Sequence, residues 1–172
     1  MSSTLIVYTI KWKGPYKEGD LPKDRNNMIY LWTGKTGPHS KKNQPCYCGV
    51  TGRGVQKRSR DKNHKKDCIL KGTRRCWIGI ISGGKRKVST GYKNTAFEKS
   101  EYLVVHYLRK YKRCCSLNER KTKSPDVPVG VFNIFFKQNG EERTRRPNDI
   151  LSLPHVILWN GEKIVTDEKK EA

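Results

Sequence analysis

Acidic residues are scarce in this chain: 16 Asp and Glu stand against 37 Lys and Arg, a formal net charge of +21 over 172 residues. Long apolar runs are missing as well. No stretch approaches the ~20 residues of a membrane-spanning helix, and the opening MSSTLIVYTI lacks the basic, apolar and small-residue regions of a secretory signal. Export and membrane insertion are therefore not expected, and the chain reads as intracellular, cytoplasmic or nuclear. Leu, Ile, Val and Phe supply only about a fifth of the residues, just above the range where disorder is expected. Four Trp and eight Tyr add apolar bulk, so a folded domain with a thin core is the expectation. No glycine-rich phosphate loop, Gly-x-Ser-x-Gly elbow or His-Glu-x-x-His occurs. NTPase, hydrolase-triad and metalloprotease chemistry thus find no support.

A positive surplus of this size repels itself and persists where a polyanion neutralises it. Nucleic acid is the first candidate and an anionic membrane surface the second. The charge is also localised: residues 35–75 hold 13 Lys and Arg against Asp61 and Asp67 alone. A polyanion-binding surface needs that clustering and a merely solvated face does not. Lys41, Lys42, Arg53, Lys57, Lys62, Lys65 and Lys66 are the expected nucleic-acid contacts.

Cysteine is present but poorly spaced for metal. Cys46, Cys48, Cys68, Cys76, Cys114 and Cys115 include no Cys-x-x-Cys pair, and no second His stands at ligand spacing from His64. Strand alternation would put Cys46 and Cys48 on one face, which suits packing as well as ligation. Reduced, half-buried thiols are expected, and zinc is disfavoured.

Extended segments are expected at 4–12, 28–34, 46–51, 76–82, 129–137 and 155–165, where β-branched and aromatic residues cluster between Gly, Pro and Asn. The basic stretch 55–70 lacks Pro and Gly and reads as a helix. NTAFEKSEYLVVHYLRKYKR is the best helix, with Asn94 or Thr95 as its cap. GGKRKVSTGY before it reads as a hairpin or loop, and the tail TDEKKEA as frayed. The expected fold is α+β: a small mixed or antiparallel sheet flanked by helices, with a β-β-α-β-α core and extra N- and C-terminal strands. One domain over 1–172 suits the length, with a core at 28–118 and a β-rich extension at 119–172.

The best helix carries a carboxylate in an awkward place. Phe97, Val104, Val105 and Leu108 form one apolar stripe, and Glu101 sits inside it. A buried carboxylate needs a cation, a metal or hydrogen-bond donors. A core-edge ion pair explains Glu101 as well as a catalytic role does, and Glu98 one turn earlier is a rival nearer the stripe's edge.

These segments line up with a known pattern. Met28-Ile29-Tyr30 resembles the "GIY" element of GIY-YIG nucleases, with Met in place of Gly, and Tyr47-Cys48-Gly49 resembles the "YIG" element, with Cys in place of Ile. Val55-Gln56-Lys57-Arg58 is similar to the family's hydrophobic-x-x-Arg segment, which a His follows by about a turn, here His64; Arg58 and Arg60 both fit. Glu101 matches the metal-binding Glu of the second helix, and Asn118 the Asn that closes the core. The resemblance covers about 28–118. It implies an endonuclease that hydrolyses phosphodiester bonds in double-stranded DNA with Mg²⁺ or Mn²⁺. It places Glu101 on the metal, Arg58 or Arg60 on phosphate and Tyr30 as base or water positioner, while Tyr47 and His64 orient or relay protons.

The chemistry agrees with those residue types. A lone carboxylate suits a Mg²⁺ that keeps most of its waters, and an arginine fork matches phosphate oxygens better than an ammonium does. The length leaves little space for a separate DNA-reading module, which favours a restriction-type over a homing enzyme and leaves a homodimer open. Two other readings stay open: a non-enzymatic basic RNA- or DNA-binding protein, and a zinc-stabilised nucleic-acid-binding module.

Overall fold

β-branched and aromatic runs become strands wherever glycine or asparagine frames them. The computed structural model describes residues 5–24, 28–83, 95–119 and 123–168. Its strands are β1 (Ile6–Tyr16), β2 (Met28–Gly34), β3 (Gln44–Thr51), β4 (Arg75–Gly83), β5 (Val129–Phe136), β6 (Val156–Trp159) and β7 (Ile164–Thr166). The two α-helices among the described residues are α1 (Val55–Ser59) and α2 (Thr95–Lys110).

The expected small sheet flanked by helices is replaced by something more sheet-dominated. All seven strands join one mixed sheet in the order β3-β2-β4-β1-β5-β6-β7, curled as a half-barrel, with 35% strand against 22% helix. The cause is β1, which pairs antiparallel with β4 on one side and parallel with β5 on the other. The N-terminal strand thereby welds the C-terminal strands to the middle of the chain, and the last third continues the same sheet.

Three local expectations also change. The basic stretch after Val55 gives a five-residue helix and then short 3-10 turns at Lys65–Cys68 and Lys71–Thr73. Its apolar residues are too sparse for a continuous buried stripe, and the chain breaks where Asn63 takes φ 57 and His64 turns extended. The run 155–165 is a hairpin of β6 and β7 rather than one strand. The start of the tail is held at Glu168, which pairs with Lys112 at 2.5 Å and Arg146 at 3.2 Å, while residues 169–172 lie outside the described residues. The expected hairpin or loop after β4 and the alternative Asn94 cap lie outside the described residues, as does the side chain of Phe97.

α2 lays Leu103, Val104, Val105 and Leu108 onto one face of the sheet, against Ile10, Trp12, Leu31 and Trp77. On the other face Tyr30, Trp32 and Ile78 pack under Val55, Ile69 and Leu21. A β-bulge separates the two thiols that alternation would place together. Trp32 pairs with Tyr47 and Thr33 with Pro45, so Cys46 is an extra residue. Cys46 joins the core containing Trp32, and Cys48 the core containing α2.

Candidate active site at the sheet edge

β3 is the outermost strand, so one side of its backbone is free for pairing outside the sheet. The chain after α2 takes it. Pro45 C=O accepts from Cys115 N–H at 2.9 Å and Cys46 C=O from Leu117 N–H at 3.2 Å. Asn118 then reads Cys48 on both sides: its Oδ1 accepts from the Cys48 N–H at 2.9 Å and its Nδ2 donates to the Cys48 C=O at 2.8 Å. Arg109 fastens the loop by donating to the carbonyls of Cys115, Ser116 and Asn118.

Beside this closed edge lies a cleft of about 480 Å³. Tyr30, Tyr47, Arg58, His64, Glu101 and Asn118 all line it, with Lys62 and Lys65 at its basic side. Separate segments of the chain therefore bring most of the expected site residues to one place. Arg60 lies outside the lining and is exposed, which separates it from Arg58. Glu98 is exposed, whereas Glu101 is 6% exposed and in the cleft.

Not every expected residue lines the cleft. Lys66 is turned inward, 6% exposed, and pairs with Glu18 at 2.7 Å and Asp67 at 2.9 Å. It holds the 3-10 turn against the loop after β1. Lys41 and Lys42 lie on the β2–β3 connection, and Lys57 and Arg53 belong to the segment around α1; none of the four lines the cleft. Asp61, in sequence merely one of two acids in a basic stretch, has a positional role. It accepts from Arg53 at 2.6 Å and from Arg58 at 2.5 Å, which holds the Arg58 guanidinium at the cleft wall and keeps the Asp61 carboxyl below its ordinary range. Lys65 is bridged to Glu119 at 2.8 Å across the opposite wall.

Three rings form the floor. Tyr30 and Tyr47 stand 6.2 Å apart by centroid, and His64 is 6.1 Å from the first and 5.9 Å from the second. Their protons differ. Burial, followed by the neighbouring Tyr47, pushes the Tyr30 hydroxyl well above the usual phenol value. Tyr47 is only half-buried; burial and the Glu101 carboxylate raise it, while Arg58 and a hydrogen bond from Tyr30 act the other way. Burial, then Arg58 and Lys66, lower His64 to about 4, so the ring is neutral at pH 7. Its Nδ1 accepts from the Lys66 N–H at 3.1 Å, which puts the proton on Nε2. That Nε2 has no hydrogen-bond partner among the described residues.

Among the described residues the cleft lining offers oxygen donors, the Glu101 and Glu119 carboxylates, two phenols and the side-chain amides of Asn63 and Asn118, and no thiol. That donor set fits a hard divalent cation rather than a thiophilic one. Among the described residues no three of His, Cys, Asp and Glu converge as a metal cluster, and no helix is long and apolar enough to cross a membrane. Comparison with family models, with curated proteins and with solved structures yields no match.

Proposed function

We propose that this cleft hydrolyses phosphodiester bonds in double-stranded DNA, in the manner the GIY-YIG resemblance implies. The observation that carries the reading is the convergence of Tyr30, Tyr47, Arg58, His64 and Glu101 on one open cleft walled by lysines. These are the parts such a reaction needs: a carboxylate for a cation, an arginine for the developing charge, and a phenol and an imidazole to handle protons.

Glu101 would hold Mg²⁺ or Mn²⁺, which supplies positive charge to the scissile phosphate. Arg58, already oriented by Asp61, presents its remaining N–H groups to the non-bridging oxygens. The neutral His64 lines the cleft beside both tyrosines, its Nε2–H buried and without a partner among the described residues. Of the two tyrosines, Tyr47 is the better base. It is the less buried, and its phenolate receives a hydrogen bond from Tyr30. Tyr30 keeps its proton and serves as that donor, which reassigns the role the family pattern gives it.

Incubating supercoiled plasmid with the full chain, with and without Mg²⁺, tests the reading. Nicked and linear product only with the cation supports it. Retention of DNA with no strand cleavage under either condition replaces it with the non-enzymatic binding protein.

A further inference from the structure

On the face away from α2, the core beneath Val55 and Ile69 covers β2 and the start of β4. Farther along the sheet no described element covers that face. Ile80 on β4 is 58% exposed and Phe132 on β5 is 45% exposed. Between them β1 presents Lys11 and Lys13. Strand register puts Lys11 opposite Ile80 and Ile134, and Lys13 opposite Phe136, all on the same face. The two lysines thus rise from a strip of aromatic and aliphatic side chains, their Cα atoms about 6.6 Å apart along the strand. Neither lysine ion-pairs with a described residue. A groove of about 380 Å³ runs beside them, in which Asp24 is the single lining carboxylate among the described residues.

We propose that this face binds single-stranded nucleic acid, with bases stacked on Phe132 and Phe136 and the backbone along Lys11 and Lys13. Open sheet faces that interleave exposed aromatics with cations suit unpaired bases, because every base has a stacking face and every linkage a negative charge. A duplex hides its base faces and gains nothing from Phe132. A second copy of the chain fits worse. Pairing the face with itself would bring lysines against lysines in two chains that each carry +21. The surface is separate from the cleft, so the proposal stands or falls without the nuclease reading.

Fluorescence anisotropy of a short labelled oligothymidylate, measured with the full chain in chelator so that nothing is cleaved, tests it. Phe132→Leu keeps the apolar bulk and loses the ring; it should weaken binding about 5-fold or more. Phe132→Tyr should bind as wild type does. Lys11→Ser with Lys13→Ser should reduce the salt slope of log K by about 0.7 for each phosphate no longer neutralised. Cleavage of duplex by Phe132→Leu should be unchanged. Wild-type affinity in Phe132→Leu overturns the proposal, and so does an unchanged salt slope in the lysine pair, which decides the matter if the leucine variant does not fold. It is also overturned if sedimentation finds a dimer that Phe132→Glu dissociates, or if anionic vesicles capture the chain through Phe132 while the oligonucleotide does not bind.

Discussion

The Tyr30 hydroxyl lies over Gly49, so close that a Cβ built on the glycine would stand 2.6 Å from the oxygen. The two residues are cross-strand partners in β2 and β3. The glycine of the Tyr47-Cys48-Gly49 element is therefore there for space: it lets the phenol cross the strand and reach the cleft. Gly49→Ala should destabilise the fold by about 1–3 kcal/mol through overpacking. In a Tyr30→Leu background the same substitution should cost clearly less. Chemical denaturation of the four proteins in a double-mutant cycle measures that coupling. Equal costs in both backgrounds would mean that the ring and the glycine are independent.

The two phenols should separate in a pH–rate profile. With Tyr47 as base, single-turnover cleavage rises with pH through the alkaline range, because burial and Glu101 hold its proton above the usual phenol value. Tyr47→Phe should lose about 10²–10⁴-fold and flatten the rise. Tyr30→Phe removes the donor to Tyr47; it should move the rise to higher pH and lose less at the alkaline end. A flat profile in Tyr30→Phe with a normal one in Tyr47→Phe would return the base to Tyr30.

His64 should make the fold acid-sensitive. In the unfolded chain an imidazole takes its proton near pH 6.5, while burial holds the folded ring to about 4. Below 6.5 the unfolded state binds the proton and the native state does not, so stability is full above that pH and falls as the pH drops toward 4. The loss is of the order of 3 kcal/mol at its limit, from about 1.4 kcal/mol per pH unit. Urea unfolding of wild type and His64→Gln across this window checks it. The variant should show a shallower decline, and parallel curves would mean that His64 titrates normally.

The legibility of the molecule follows its local signals. β2 runs from Met28 to Gly34 as its composition predicts, because glycine and asparagine frame it, and α2 follows its Val104, Val105, Leu108 stripe. The basic stretch misleads because absence of Pro and Gly says only that a helix is allowed; sustaining one takes a buried stripe, which residues 55–70 lack. The half-barrel is invisible in the sequence because the pairing of β1 with β5 joins strands from opposite ends of the chain and leaves no local trace. The bulge at Cys46 is equally hidden, since one extra residue reverses facing without altering composition. Glu101 stands out by its place in the apolar stripe and Tyr30 and Tyr47 through the family resemblance alone, but the order of the two phenols' acidities rests on burial, which only the fold supplies.

Cations in the basic stretch should divide by role. Lys62→Glu and Lys65→Glu, at the cleft wall, should weaken duplex binding on every sequence and lower the salt slope by about 0.9 for each phosphate they neutralise. Lys66→Ala should instead lower stability by about 1–2 kcal/mol, as its charged hydrogen bonds to Glu18 and Asp67 disappear, with binding by the folded fraction retained. Salt titrations of binding beside thermal melts distinguish the two. A Lys66 variant that melts normally but binds weakly would put that lysine on the DNA.

On the proposed reading, Glu101 serves chemistry from inside an apolar stripe. The most direct test is single-turnover cleavage of duplex DNA with Mg²⁺ by Glu101→Gln and Glu98→Gln, each shown to be folded. Glu101→Gln should cut no faster than wild type does without the cation, while holding DNA as tightly or more so, because a charge that repels phosphate is gone. Glu98→Gln, altered at an exposed position, should cut normally. Normal cleavage by Glu101→Gln would contradict the account.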